Sequence, residues 1–88
     1  MIYLISYDLN EPQQNYPLVI EAIKKYQHCH VMQSLWFIST NENIREVTEK
    51  LMNCIDDNDW LFVCPIGLDY DGILPKDKAN WLRRVKKD

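Results

Sequence analysis

An α+β domain, with helices packed on one face of a sheet, is the fold class this sequence predicts, and three observations predict it. Strand-like and helix-like stretches alternate in the order strand, helix, strand, helix, strand. The first stretch, Ile2-Tyr3-Leu4-Ile5-Ser6-Tyr7-Asp8-Leu9-Asn10, is an almost unbroken apolar and aromatic run, the composition of a central strand. The two helical stretches, of about three turns each, carry one apolar stripe apiece and so need one sheet face to cover them. This order of elements is that of the ferredoxin-like class, of βαββαβ type, with two helices on one face and a short C-terminal helix besides.

The first strand ends on Asp8, at the carboxyl end where sheets commonly present functional groups. Two readings stand side by side: a functional carboxylate, or a strand-ending Asp that caps the next turn through the local backbone. Asn10 to Asn15 is a polar turn segment, and Asn15 is placed to cap a helix with Pro17 in its first turn. Leu18, Val19, Ala22, Ile23 and Tyr26 form that helix's core face. His30 to Thr40 reads as strand, with Met32, Ser34, Trp36 and Ile38 on one face and Val31, Gln33, Leu35 and Phe37 on the other. Nothing in it breaks the run, so one long strand and two short ones joined at a bend are both open. Asn43 and Glu46 have the spacing of a capping box for the second helix, whose stripe is Ile44, Val47, Leu51, Cys54 and Ile55. The acidic turn Asp56 to Asp59 leads into the strand Trp60 to Ile66. After a loop to Gly72, Leu74-Pro75 precedes a last helix with Ala79, Leu82 and Val85 on one face and Trp81 on its flank. Residues 1–75 are expected to form the ferredoxin-like domain, and 76–88 a basic helix packed on it or extending from it.

In a chain of 88 residues, 47% hydrophobic and 26% charged, there is room for one core. A domain this small buries only somewhat over ~60% of its unfolded surface, which makes a homodimer a natural supplement. No apolar stretch approaches the ~20 residues of a membrane span, and Met1 leads directly into strand sequence, so a cytoplasmic protein is expected. Cys29, Cys54 and Cys64 match neither a disulfide framework nor a zinc ribbon and are expected to be reduced. His28 and His30 could converge on a metal from one strand face, though entry into a strand explains them better.

Charge is divided unevenly. Residues 1–75 hold four Lys or Arg against eleven Asp or Glu, a balance of −7; residues 76–88 hold six against two, a balance of +4. A basic tail of this kind suits nucleic acid, with Arg83, Arg84, Lys86 and Lys87 as the contacts, and equally suits the carboxyl end of a helix dipole. The common nucleotide-binding, metalloprotease and hydrolase signatures are absent. Asp69-Tyr70-Asp71-Gly72 and the 56–59 turn lack the full ligand pattern of a calcium loop. Tyr3, Tyr7, Trp36, Trp60 and Trp81 could stack bases, but without Lys or Arg on their strands they fit a core or a dimer interface.

Tyr3-Leu4-Ile5-Ser6-Tyr7-Asp8-Leu9, Gln33-Ser34-Leu35-Trp36-Phe37, and Ile55-Asp56 leading into Leu61-Phe62-Val63-Cys64-Pro65-Ile66 together resemble the small ferredoxin-fold CRISPR-associated protein that partners the spacer integrase. The same stretches are similar to its relatives, the virulence-associated protein D ribonucleases. Within that superfamily the chain looks like a group of short stand-alone proteins, which share the Tyr-Asp-Leu-Asn strand end and a Leu-Pro-Lys segment before Trp-Leu, here Leu74-Pro75-Lys76 and Trp81-Leu82. The resemblance implies a homodimer with Asp8 of each subunit near the two-fold axis, the pair holding Mg2+ or Mn2+ for hydrolysis of RNA or DNA, and Ser34 as a helper near that axis. The sequence departs from the family in two places: His30 and Met32 stand where the family has Arg and Gln, and Glu11-Pro12-Gln13-Gln14 replaces the basic residues after the strand-end Asp. The alternative expectation is a non-catalytic interaction or scaffold module of a CRISPR or toxin-antitoxin system, meeting a protein partner through its acidic surface.

Overall fold

The structure, a computed structural model, describes residues 1–10 and 12–86, without the side chains of 12–15. Its elements are β1 (Ile2–Asp8), α1 (Pro12–Lys24), β2 (Gln27–Met32), β3 (Leu35–Ser39), α2 (Ile44–Met52), β4 (Trp60–Pro65) and α3 (Lys76–Lys86). The strands make one antiparallel sheet in the order β2-β3-β1-β4, which puts the apolar β1 in the interior of the sheet, as its composition requires. This is the βαββαβ ferredoxin-like arrangement with one helix added.

Alternation along the strands gives each sheet face its own core. On one face Tyr3, Ile5, Tyr7 and Leu9 of the first strand meet Trp36 and Ile38 of β3, under Val19 and Ile23 of α1 and Val47 and Leu51 of α2. Each such side chain stabilises the fold by roughly 1.5–3 kcal/mol through burial. The one buried indole is satisfied: Trp36 Nε1 donates to the Tyr7 hydroxyl at 3.0 Å. On the opposite face Ile2, Cys29, Val31 and Phe37 lie under Leu82 and Val85 of α3. The third helix covers only part of that face.

Three local expectations need correction. Helix α1 begins at Pro12, so Asn15 lies inside it and is not its cap, and Leu18 is exposed and not part of the core face. Proline fits a helix's first position because its φ is already helical. Pro17, which cannot donate to the carbonyl one turn back, is carried within the helix by the burial of Val19 and Ile23 just beyond it. Of the two readings open for residues 30–40, the structure has two short strands, the first starting earlier at Gln27, and the expected faces change: Gln33 and Ser34 turn the chain between β2 and β3, a hairpin made without Gly or Asn. A bulge between His30 and Met32 breaks the alternation, so Met32 lies with Leu4 and Leu35 and not with Trp36. Finally, Ile44 opens α2 at 40% exposure and is not part of the buried stripe, while Cys54 and Ile55 pack on the core from beyond the end of that helix.

The capping box forms as expected. Glu46 N donates to Asn43 Oδ1 at 2.9 Å and Asn43 N donates to Glu46 Oε1 at 3.0 Å. Just before it, Glu42 joins three elements: its carbonyl accepts from the Tyr3 hydroxyl at 2.9 Å, one carboxylate oxygen accepts from the Tyr26 hydroxyl at 2.7 Å, and the other meets the Lys50 ammonium. No helix among the described residues is long and apolar enough to cross a membrane. The three cysteines are free, and burial raises the Cys29 thiol above its ordinary pKa.

Candidate metal and nucleic-acid site

Asp8 closes β1 and is paired in register with Trp60 of β4. The parity that buries Tyr3, Ile5 and Tyr7 under the helices sends Ser6 and Asp8 to the other face, at the end that α3 does not reach. Its carboxylate is exposed and makes no hydrogen bond or ion pair among the described residues. Its surroundings on that face are apolar and open: Trp60 is 74% exposed, Phe62, opposite Ser6, is 64% exposed, and Met32 is 52% exposed.

The backbone around Asp8 is pinned from below. Asp59, the one buried charged residue among those described, accepts from Asn10 N through Oδ1 at 2.7 Å and from Asp56 N through Oδ2 at 2.8 Å. One carboxylate therefore ties the chain leaving β1 to the turn entering β4. The sequence marks Asp59 only as part of an acidic turn; its place immediately before a strand antiparallel to the first is the signal that could have singled it out.

Ser34 comes to the same end of the sheet. Its carbonyl accepts from Tyr7 N at 3.3 Å, which sets the β2–β3 turn beside the last residues of β1. Being in the turn, its side chain is not assigned to either face by strand alternation. The basic residues are divided around α3. Arg83 donates to Asn80 Oδ1 at 3.0 Å and lines the cleft between α3 and the 67–74 loop, whereas Arg84 faces the free edge of β2. Lys86 donates to the Ile66 carbonyl at 2.9 Å and sits over the Tyr70 ring, so it secures the end of β4. Lys87 lies outside the described residues. The two histidines are occupied locally: His28 Nδ1 contacts the Tyr26 carbonyl at 2.9 Å, and the His30 ring stacks on Trp36 at 4.0 Å and 4°. Among the described residues no three His, Cys, Asp or Glu are grouped so as to hold a metal ion. A single chain thus contributes one hard oxygen group, Asp8, to this site.

No protein-family model matches the sequence, and no curated protein does. Solved structures match in shape. A Cas2 from Streptococcus pyogenes, crystallised at pH 6.5, superposes with a TM-score of 0.65 and 23% identity over 97% of this chain and 95% of that one. A hypothetical protein from Thermus thermophilus, TT1823, gives a TM-score of 0.65 and 18% identity over 84% of this chain and 93% of that one. The likeness spans nearly the whole sheet and its helices, and what it shows is a small ferredoxin-like fold of the Cas2 type.

Proposed function

We propose that this chain acts as a homodimer whose two Asp8 carboxylates, brought together across the two-fold axis, form a Mg2+- or Mn2+-dependent site that hydrolyses phosphodiester bonds in RNA or DNA. The observation that carries the reading is the open face around Asp8. Trp60 and Phe62 leave a large apolar surface in water beside a carboxylate that has no partner among the described residues, and a second copy of the same face would cover the rings and double the carboxylate in one step. The likeness to Cas2 supports it at the level of fold.

The donor set fits such a cation, since carboxylate oxygens are its preferred ligands and one per chain is half of a two-carboxylate site. When bound, the metal supplies Lewis-acid stabilisation of charge on phosphate and of the attacking water. The chain's own residues do the rest. Asp8 holds the cation, Asp59 fixes the backbone that aims Asp8, and Trp60 and Phe62 exclude bulk water from the axis. Ser34, in the turn beside the end of β1, is the hydroxyl that would serve a phosphate oxygen there, and Arg83 and Arg84 steer the polyanion. The test is incubation of labelled RNA and DNA with Mg2+ or Mn2+, beside Asp8→Asn. Metal-dependent cleavage by the wild type alone is expected; equal cleavage by both proteins assigns the activity elsewhere.

One observation favours a second reading, a non-catalytic scaffold. His30 stands where the resembled family carries Arg, and its ring is stacked on Trp36 rather than directed at the Asp8 face. Dimerisation without cleavage of either nucleic acid would select this reading.

A further inference from the structure

The free edge of β2 carries a second concentration of chemistry, away from Asp8. β2 pairs only with β3, so its outer edge presents backbone N–H and C=O groups to solvent. Among the described residues this strand makes no backbone hydrogen bond to α1 or α3. Proteins commonly blunt such an edge with Lys or Pro; Gln27-His28-Cys29-His30-Val31-Met32 has neither, and its bulge affects only the last residues.

The two flanking helices lie on opposite faces of the sheet and both reach this edge. They make an open groove with Ile20 and Lys24 on the α1 wall and Lys78, Trp81 and Arg84 on the α3 wall. Three cations therefore overlook one strand edge in a chain whose net charge is −3. Among the described residues that line the groove, Asp77 alone opposes them, 3.5 Å from Lys78. Lys78 and Arg84 line the groove together with Cys29 of β2, which places both beside that strand.

We propose that this groove binds an extended acidic segment of a partner protein, which adds to β2 as a further strand and sets alternate carboxylates against Lys78 and Arg84 on the α3 side and the apolar residues between them against the Ile20 side. A polypeptide fits better than a nucleic acid because the exposed backbone groups match the repeat of another strand.

The experiment is a fluorescence-anisotropy titration of the whole protein at low salt with a labelled peptide of alternating Glu and Val, beside the same peptide with Gln for Glu and a labelled oligo-dT strand, joined to hydrogen exchange of the β2 amides. The Glu peptide is expected to bind, to slow exchange within His28–Val31, and to bind roughly tenfold more weakly to Lys78→Glu/Arg84→Glu, with little change for Lys24→Glu on the opposite face. Equal binding of the Gln peptide, unchanged binding by Lys78→Glu/Arg84→Glu, or unaltered β2 exchange overturns the proposal. Oligo-dT binding that depends on the same cations while the peptide fails would assign the groove to nucleic acid instead.

Discussion

Replacing Trp60 by Ser probes the apolar frame of Asp8 while leaving the monomer's core intact. The ring is 74% exposed, about 180 Å² of a side chain that buries up to ~250 Å². In a symmetric dimer two copies offer about 360 Å², worth at most about 9 kcal/mol at ~25 cal/mol per Å². Covering only a quarter of it contributes ~2 kcal/mol, so losing the ring should weaken the dimer roughly thirtyfold. Monomer stability should change by less than about 0.5 kcal/mol, because an exposed side chain gives up little on removal. Sedimentation equilibrium over a range of protein concentrations, with urea denaturation at the lowest, separates the two effects. An unchanged dimer constant, or a wild type that stays monomeric throughout, refutes the placement of the interface on this face.

Asp59→Ala removes two charge-assisted hydrogen bonds from buried ground and should cost about 3 kcal/mol in urea denaturation; a loss below about 0.5 kcal/mol would deny it the pinning role. Glu42 is held below its ordinary value of 4.5 by the hydrogen bond from Lys50 first and that from Tyr26 next. Its contribution to stability is therefore present above that value and is lost as pH falls through the lowered one, so Glu42→Gln should flatten the acid limb of a stability–pH curve. Tyr26 is raised above 10.0, by burial first and Glu42 next, so the same joint weakens as pH rises past that value. If the chain binds nucleic acid, Arg83→Gln/Arg84→Gln should reduce the slope of log affinity against log salt by about 0.7–0.9 for each phosphate that an arginine no longer neutralises; an unchanged slope would move the binding to other residues.

Most of the architecture was legible because it rests on patterns that tolerate no alternative. The unbroken apolar composition of β1 suits only an interior strand, and the Asn43–Glu46 pair occurs as a cap wherever a helix can start. The position of Asp8 on a strand end followed directly. What was hidden depends on neighbours in space. Pro12 and Asn15 are both good first residues for a helix, and only the packing of Val19 and Ile23 decides between them. The hairpin at Gln33–Ser34 uses ordinary residues, so local turn chemistry gave no sign of it. Whether Trp60 and Phe62 were core or surface could not be read from a strand whose alternation shows two faces without saying which one the helices take. The partial cover of the second face by α3 leaves the Asp8 end bare, and no single stretch of sequence encodes that.

The proposed metal site exists only across a two-fold axis, and the crystal structure of the protein grown with Mn2+ tests it most directly. The predicted result is a dimer joined through the Trp60 and Phe62 face, with one Mn2+ bound to an Asp8 oxygen from each subunit and those oxygens no more than roughly 4 Å apart, twice a metal–oxygen distance of about 2.1 Å. A dimer that places the two Asp8 carboxylates on separate surfaces, or a metal bound without them, would contradict it.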